Sequence, residues 1–107
     1  GHSAGGSTIA KLAITGDLCK INLTKVIWSD STYGTQLFRA WNGCLKKSDI
    51  SIDVFTRKYG DPWKRSQEFK QKVKIIPANL TFYALGKPWT HKKIGDNIVK
   101  LASILED

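Results

Sequence analysis

Side chains able to do chemistry are scarce in this sequence of 107 residues, which holds two histidines and two cysteines. His2 falls in Gly1-His2-Ser3-Ala4-Gly5-Gly6-Ser7, a stretch without an apolar run that reads as a flexible linker or cloning remnant. That leaves His91 as the imidazole to consider. A two-histidine metal site or nuclease is excluded on this reading, and a Ser-His-Asp triad would have to use His91. In Trp89-Thr90-His91-Lys92-Lys93 it reads as a solvated, positively crowded histidine, with a general base or phosphate ligand as the functional alternative. Neither GxGxxG nor GxxxxGK[ST] occurs, so no cofactor is expected. Asp53, Glu68 and Lys70 echo a metal-dependent nuclease pattern, but that pattern needs Glu-x-Lys on a strand. Here Glu68-Phe69-Lys70 falls in a predicted helix, where Glu68 and Lys72 would form an i, i+4 pair. No metal site and no catalytic residue are assigned, and the balance leans away from an enzyme.

Charge is the other possible source of function. The formal net charge is +8, and residues 57–93 hold ten lysines and arginines against Asp61 and Glu68, so this segment accounts for all of it. A positive face of this kind attracts polyanions, most often nucleic acid, and otherwise an acidic protein or an anionic membrane surface. Aromatic residues interleave with the cations, as single-stranded nucleic acid binding requires: cations meet phosphates and flat rings stack on bases. The candidate contacts are Arg57, Lys58, Tyr59, Lys64, Arg65, Lys87, Trp89, His91, Lys92 and Lys93. The alternative is a solvated surface that maintains solubility.

No apolar run approaches the roughly 20 residues of a membrane span, and no integral membrane association is expected. Cys19 and Cys44 are too few for a disulfide scaffold and too far apart for a redox or zinc motif. They read as two buried thiols of a cytoplasmic or nuclear protein. One disulfide in a secreted protein is the alternative, which the sequons Asn22-Leu23-Thr24 and Asn79-Leu80-Thr81 support slightly. The sequence contains no methionine, which suggests an excised domain without its native start.

These side chains need elements to position them, and periodicity predicts a single α/β domain over residues 8–107. Thr8 to Ile14 and Ile21 to Trp28 are strand-compatible, separated by Thr15-Gly16-Asp17. Leu37, Phe38, Trp41 and Leu45 predict a helix over about 33–46. Ile50, Ile52 and Val54 alternate with polar residues as a strand. Asp61-Pro62 opens a helix over about 61–73. Lys74 to Ile76 and Leu80 to Leu85 read as extended, and another strand is expected through Trp89 and Thr90. Asp96 is the expected cap of a terminal helix with Ile94, Ile98, Leu101 and Leu105 on one stripe. The expected order is β-β-α-β-α-β-β-α, a mixed sheet flanked by about three helices.

The second half of this pattern resembles the C-terminal half of the thioredoxin fold. The resemblance is carried by Ile50 to Phe55, Asp61-Pro62, Lys74-Ile75-Ile76-Pro77, Leu80-Thr81-Phe82-Tyr83, Gly86-Lys87 and the closing helix. It implies a thioredoxin-like sandwich whose strand after Pro77 belongs to a hairpin, with Pro77 matching the family's cis-proline. The family's Cys-x-x-Cys would follow Trp28, where Ser29-Asp30-Ser31-Thr32 stands instead, so the fold is implied without the dithiol chemistry.

Three functions follow as expectations. The first is a non-enzymatic module that binds nucleic acid or another polyanion through the 57–93 face. The second is a redox-inactive thioredoxin-like domain that binds a protein through Trp28, Ser29, Asp30, Ser31, Thr32, Ile76 and Pro77. The third is a small ribonuclease or toxin using His91.

Overall fold

The computed structural model describes residues 2, 5–87, 89–98 and 100. Its elements alternate: α1 (Gly5–Thr15), β1 (Lys25–Ser29), α2 (Gln36–Gly43), β2 (Ser51–Arg57), α3 (Asp61–Lys72), β3 (Leu80–Leu85) and α4 (His91–Asp96), with 3₁₀ turns at Asp17–Lys20 and Leu45–Lys47. The strands form one parallel sheet in the order β1-β2-β3, with Val26 opposite Ile52 and Val54 opposite Phe82.

Strand β2 is central and buried on both faces, which explains its apolar residues at odd and even positions alike. On one face Ile52 and Val54 pack with Val26, Trp28 and Leu80 under residues of α1, α2 and α3, including Ala10, Ala13, Leu37, Trp41 and Phe69. On the other face Phe55 packs with Ile94 of α4, flanked by Ile27, Tyr83 and Leu85. The result is three layers, with α1–α3 on one side of the sheet and α4 on the other.

The α/β class is as expected, but several elements differ. Residues 8–14, expected to be a strand, lie in α1, and the supposed linker supplies both His2 and the first residues of that helix. Helix propensity there is modest, but Gly6, Ala10 and Ala13 at helical spacing bury a narrow face, and packing overrides propensity. The sheet is parallel rather than mixed, with β2 between β1 and β3. Lys74–Ile76 and Trp89–Thr90 are not strands. Each lies beside a turn, in which Leu80 N–H donates to the Pro77 carbonyl and Trp89 N–H to the Gly86 carbonyl. Asp96 ends α4, whose start Thr90 caps by accepting from Lys93 N–H. Of the terminal helix expected after Asp96, Ile98 and Lys100 are helical, and the rest falls largely outside the described residues. Ile94 is buried as expected, whereas Leu101 and Leu105 lie outside the described residues.

Cys19 and Cys44 form a disulfide, with their Cα atoms 6.2 Å apart, which corrects the reading of two thiols. Sequence separation hid their proximity. Helices α1 and α2 approach so closely that a Cβ on Gly43 would lie 2.4 Å from the Ala13 carbonyl oxygen, and the turn after α1 then meets the end of α2. Because the bond closes a loop with a sequence separation of 25, Cys19→Ser combined with Cys44→Ser should lower unfolding free energy by about 2–4 kcal/mol in urea titrations. A midpoint indifferent to reduction would contradict this.

Candidate functional site

Parallel strands end at the same edge of a sheet, so whatever follows each strand is brought together there. Asp30 follows β1, Arg57 ends β2, and His91 opens α4 after β3. Asp30 is the one non-glycine residue with positive φ among the described residues, at 48°, and its backbone N–H donates to the Phe55 carbonyl at 2.6 Å. This backbone turn directs its side chain into the protein, where it is 0% exposed.

A buried carboxylate needs compensation, and Asp30 has the Arg57 cation and the His91 imidazole on one oxygen. His91 Nδ1 lies 2.8 Å from Asp30 Oδ2, and Arg57 Nε donates to the same oxygen at 2.9 Å. The Arg57 backbone N–H donates to Oδ1 at 3.4 Å. Since a carboxylate accepts, Nδ1 of His91 carries the proton in this contact, and Nε2 is the basic nitrogen of the neutral ring. Arg57 is held from the other side by exposed Tyr59, whose hydroxyl accepts from Nη1 at 3.2 Å and whose ring centroid lies 4.6 Å from the guanidinium. Burial lowers the Arg57 pKa, but the Tyr59 hydrogen bond and the Asp30 charge outweigh it, and the net direction is upward.

His2, set aside as part of a linker, belongs to this edge. It forms a parallel bridge with Ser29, and its Nδ1 donates to the Ser29 carbonyl at 2.7 Å. Its ring stacks on His91 with centroids 4.2 Å apart. Gly5 N–H donates to the His2 carbonyl, and α1 begins at Gly5. Gly6 lets that first turn approach the loop after β1, since a Cβ there would lie 2.4 Å from the Ser31 carbonyl oxygen. The sequence here, Gly1-His2-Ser3-Ala4-Gly5, is a G-x-S-x-G string. Ser3 itself lies outside the described residues.

The structure separates most of the other expected site residues. Arg57, Tyr59 and His91 meet at the Asp30 edge. Arg65 is engaged with Asp61 and Glu68, each at 3.1 Å, and hydrogen bonding to Glu68, then the charge of Asp61, raises its pKa. Lys92 pairs with Asp96 at 2.6 Å, which raises its pKa by the same means. Lys93 lies over the half-buried Trp89 ring at 5.1 Å, while Lys58, Lys64 and Lys87 are exposed. Trp28, Ser29, Asp30, Ser31 and Thr32 are buried and offer a partner no side-chain surface. Ile76 and Pro77 precede β3 and so lie toward the opposite edge of the sheet. Asp53 pairs with Lys25 at 3.1 Å, Glu68 with Arg65 rather than Lys72, and Lys70 lies over the Phe82 ring, so the nuclease pattern is dispersed. Among the described residues no group of three His, Cys, Asp or Glu side chains is placed to hold a metal ion. A cleft of about 660 Å³ between Cys19, Leu23, Cys44 and Ile50 lies before β1 and β2, away from Asp30.

Comparison with protein-family models, curated proteins and solved structures finds no match.

Asp30→Ala strands the Arg57 cation beside a buried cavity and should cost about 3 kcal/mol of stability in chemical denaturation. Asp30→Asn, which tolerates the positive φ, should cost less. An alanine variant within 0.5 kcal/mol of the parent (roughly the scatter of surface substitutions) would contradict a structural role for the ion pairs.

Proposed function

We propose that this chain carries the catalytic edge of a serine hydrolase, with Ser3 as nucleophile, His91 as general base and Asp30 as the orienting acid. One observation carries the reading: His91 Nδ1 is hydrogen-bonded at 2.8 Å to the buried carboxylate of Asp30, where His2, the residue before Ser3, stacks on the same imidazole. A triad needs an acid buried against Nδ1, so that Nε2 faces the nucleophile. The sequence context agrees. In α/β-hydrolase sheets G-x-S-x-G marks a strand-to-helix turn, and the triad follows in the chain order Ser, Asp, His. Here Ser3, Asp30 and His91 keep that order, His2 pairs in the manner of a strand end, and α1 opens at Gly5.

The chemistry is acyl transfer to water. Ser3 Oγ attacks the carbonyl carbon of an ester or amide while His91 Nε2 accepts its proton, and Asp30 stabilises the imidazolium. The same proton passes to the leaving group, an acyl-serine forms, and water activated by His91 hydrolyses it. The burial of Asp30 strengthens this support, because the carboxylate acts on the ring in a low dielectric.

The polyanion-binding reading rests on Lys58, Lys64 and Lys87, since Arg57, Arg65, Lys92 and Lys93 already have partners. No comparable constellation favours it.

With an activated short-chain ester as substrate, the full chain should show turnover that falls on the order of 10³–10⁴-fold in Ser3→Ala and His91→Ala. Asp30→Asn should also fall steeply, with little change in KM. Undiminished turnover in Ser3→Ala would overturn the reading.

A further inference from the structure

We propose that Arg57 is a positioning residue that fixes the Asp30 carboxylate against His91, a role that rests on the hydrolase reading. A carboxylate and a histidine suffice for the acid-base pair, so a third charged group on the same oxygen needs an explanation. Arg57 Nε and His91 Nδ1 are 2.9 and 2.8 Å from Asp30 Oδ2, and the two nitrogens are therefore less than about 6 Å apart. Through its side-chain and backbone N–H groups on Oδ2 and Oδ1, Arg57 fixes the plane of the buried carboxylate and so the oxygen that meets His91 Nδ1.

Arg57 is itself restrained by Tyr59, which contacts the guanidinium with both hydroxyl and ring. The chain of contacts thus runs from exposed Tyr59 through Arg57 to buried Asp30 and then to His91. The other titratable groups around His91 are His2, stacked on its ring, and Lys92, Lys93 and Asp96 on its own helix, where Lys92 and Asp96 pair with each other. Among the described contacts, Arg57 alone shares the Asp30 oxygen with His91.

The test is the Nδ1–H proton resonance of His91 in NMR spectra of the full chain, with His2→Gln used to assign it. Arg57→Gln should broaden or lose this resonance, because a carboxylate no longer held by the guanidinium leaves the Nδ1–H open to exchange with water. Arg57→Lys keeps a charged donor within reach of Oδ2 and should retain the resonance, less sharply than the parent because it lacks the planar guanidinium. In ester hydrolysis, Arg57→Gln should lower kcat about tenfold with KM within about twofold, and Arg57→Lys should recover part of that loss. An undiminished resonance in Arg57→Gln, or a lysine variant no better than the glutamine one, overturns the inference. A parent without ester turnover is the separate signature of a failed hydrolase reading.

Discussion

A carboxylate that is wholly buried at a sheet edge must be paired, and the arrangement of this protein follows from that requirement. Asp30 turns inward because its backbone adopts positive φ directly after β1, and its N–H is tied to the neighbouring strand at Phe55. Its charge then fixes the positions of Arg57 at the end of β2 and His91 at the start of α4. Three successive β-to-α junctions are drawn to one point by one anion. Because the strands are parallel, the point lies beyond their carboxyl ends, the usual position of a site in an open α/β sheet. The ion pairs are thus both a folding constraint and the source of an oriented imidazole.

Much of the fold was legible in the sequence where one signal dominated. The apolar run of β2, the Asp61-Pro62 opening of α3 and the Leu80 to Leu85 strand all stand where their patterns place them. Strand direction was not legible, because alternation specifies which face is buried and says nothing of polarity. Helix α1 was misread because its buried face consists of glycine and alanine, which carry almost no hydrophobic signal. The disulfide was hidden for a related reason: only the close packing of α1 on α2 makes Cys19 and Cys44 neighbours.

The candidate site was half legible. His91 reads in the sequence as a solvated, positively crowded histidine, with a general base as the alternative. Its buried partner was not identified, since Asp30 reads as one polar residue among Ser29, Ser31 and Thr32 until β1 and α4 are placed side by side. The opening residues were read as a linker, whereas His2 bridges Ser29 and Gly5 begins α1. Gly6 in that segment serves close approach, as its contact with Ser31 makes plain. In the basic segment, net charge counts lysines and arginines without showing that Arg57, Arg65 and Lys92 are ion-paired.

If His91 and Asp30 activate Ser3, that serine must react selectively with an electrophile that mimics the tetrahedral intermediate. The direct measurement is incubation of the full chain with a fluorophosphonate, followed by tandem mass spectrometry of the peptide containing residues 1–11. The account predicts a stoichiometric phosphonyl adduct on Ser3 that is lost in His91→Ala. An unmodified Ser3, or an adduct that persists without His91, would contradict it.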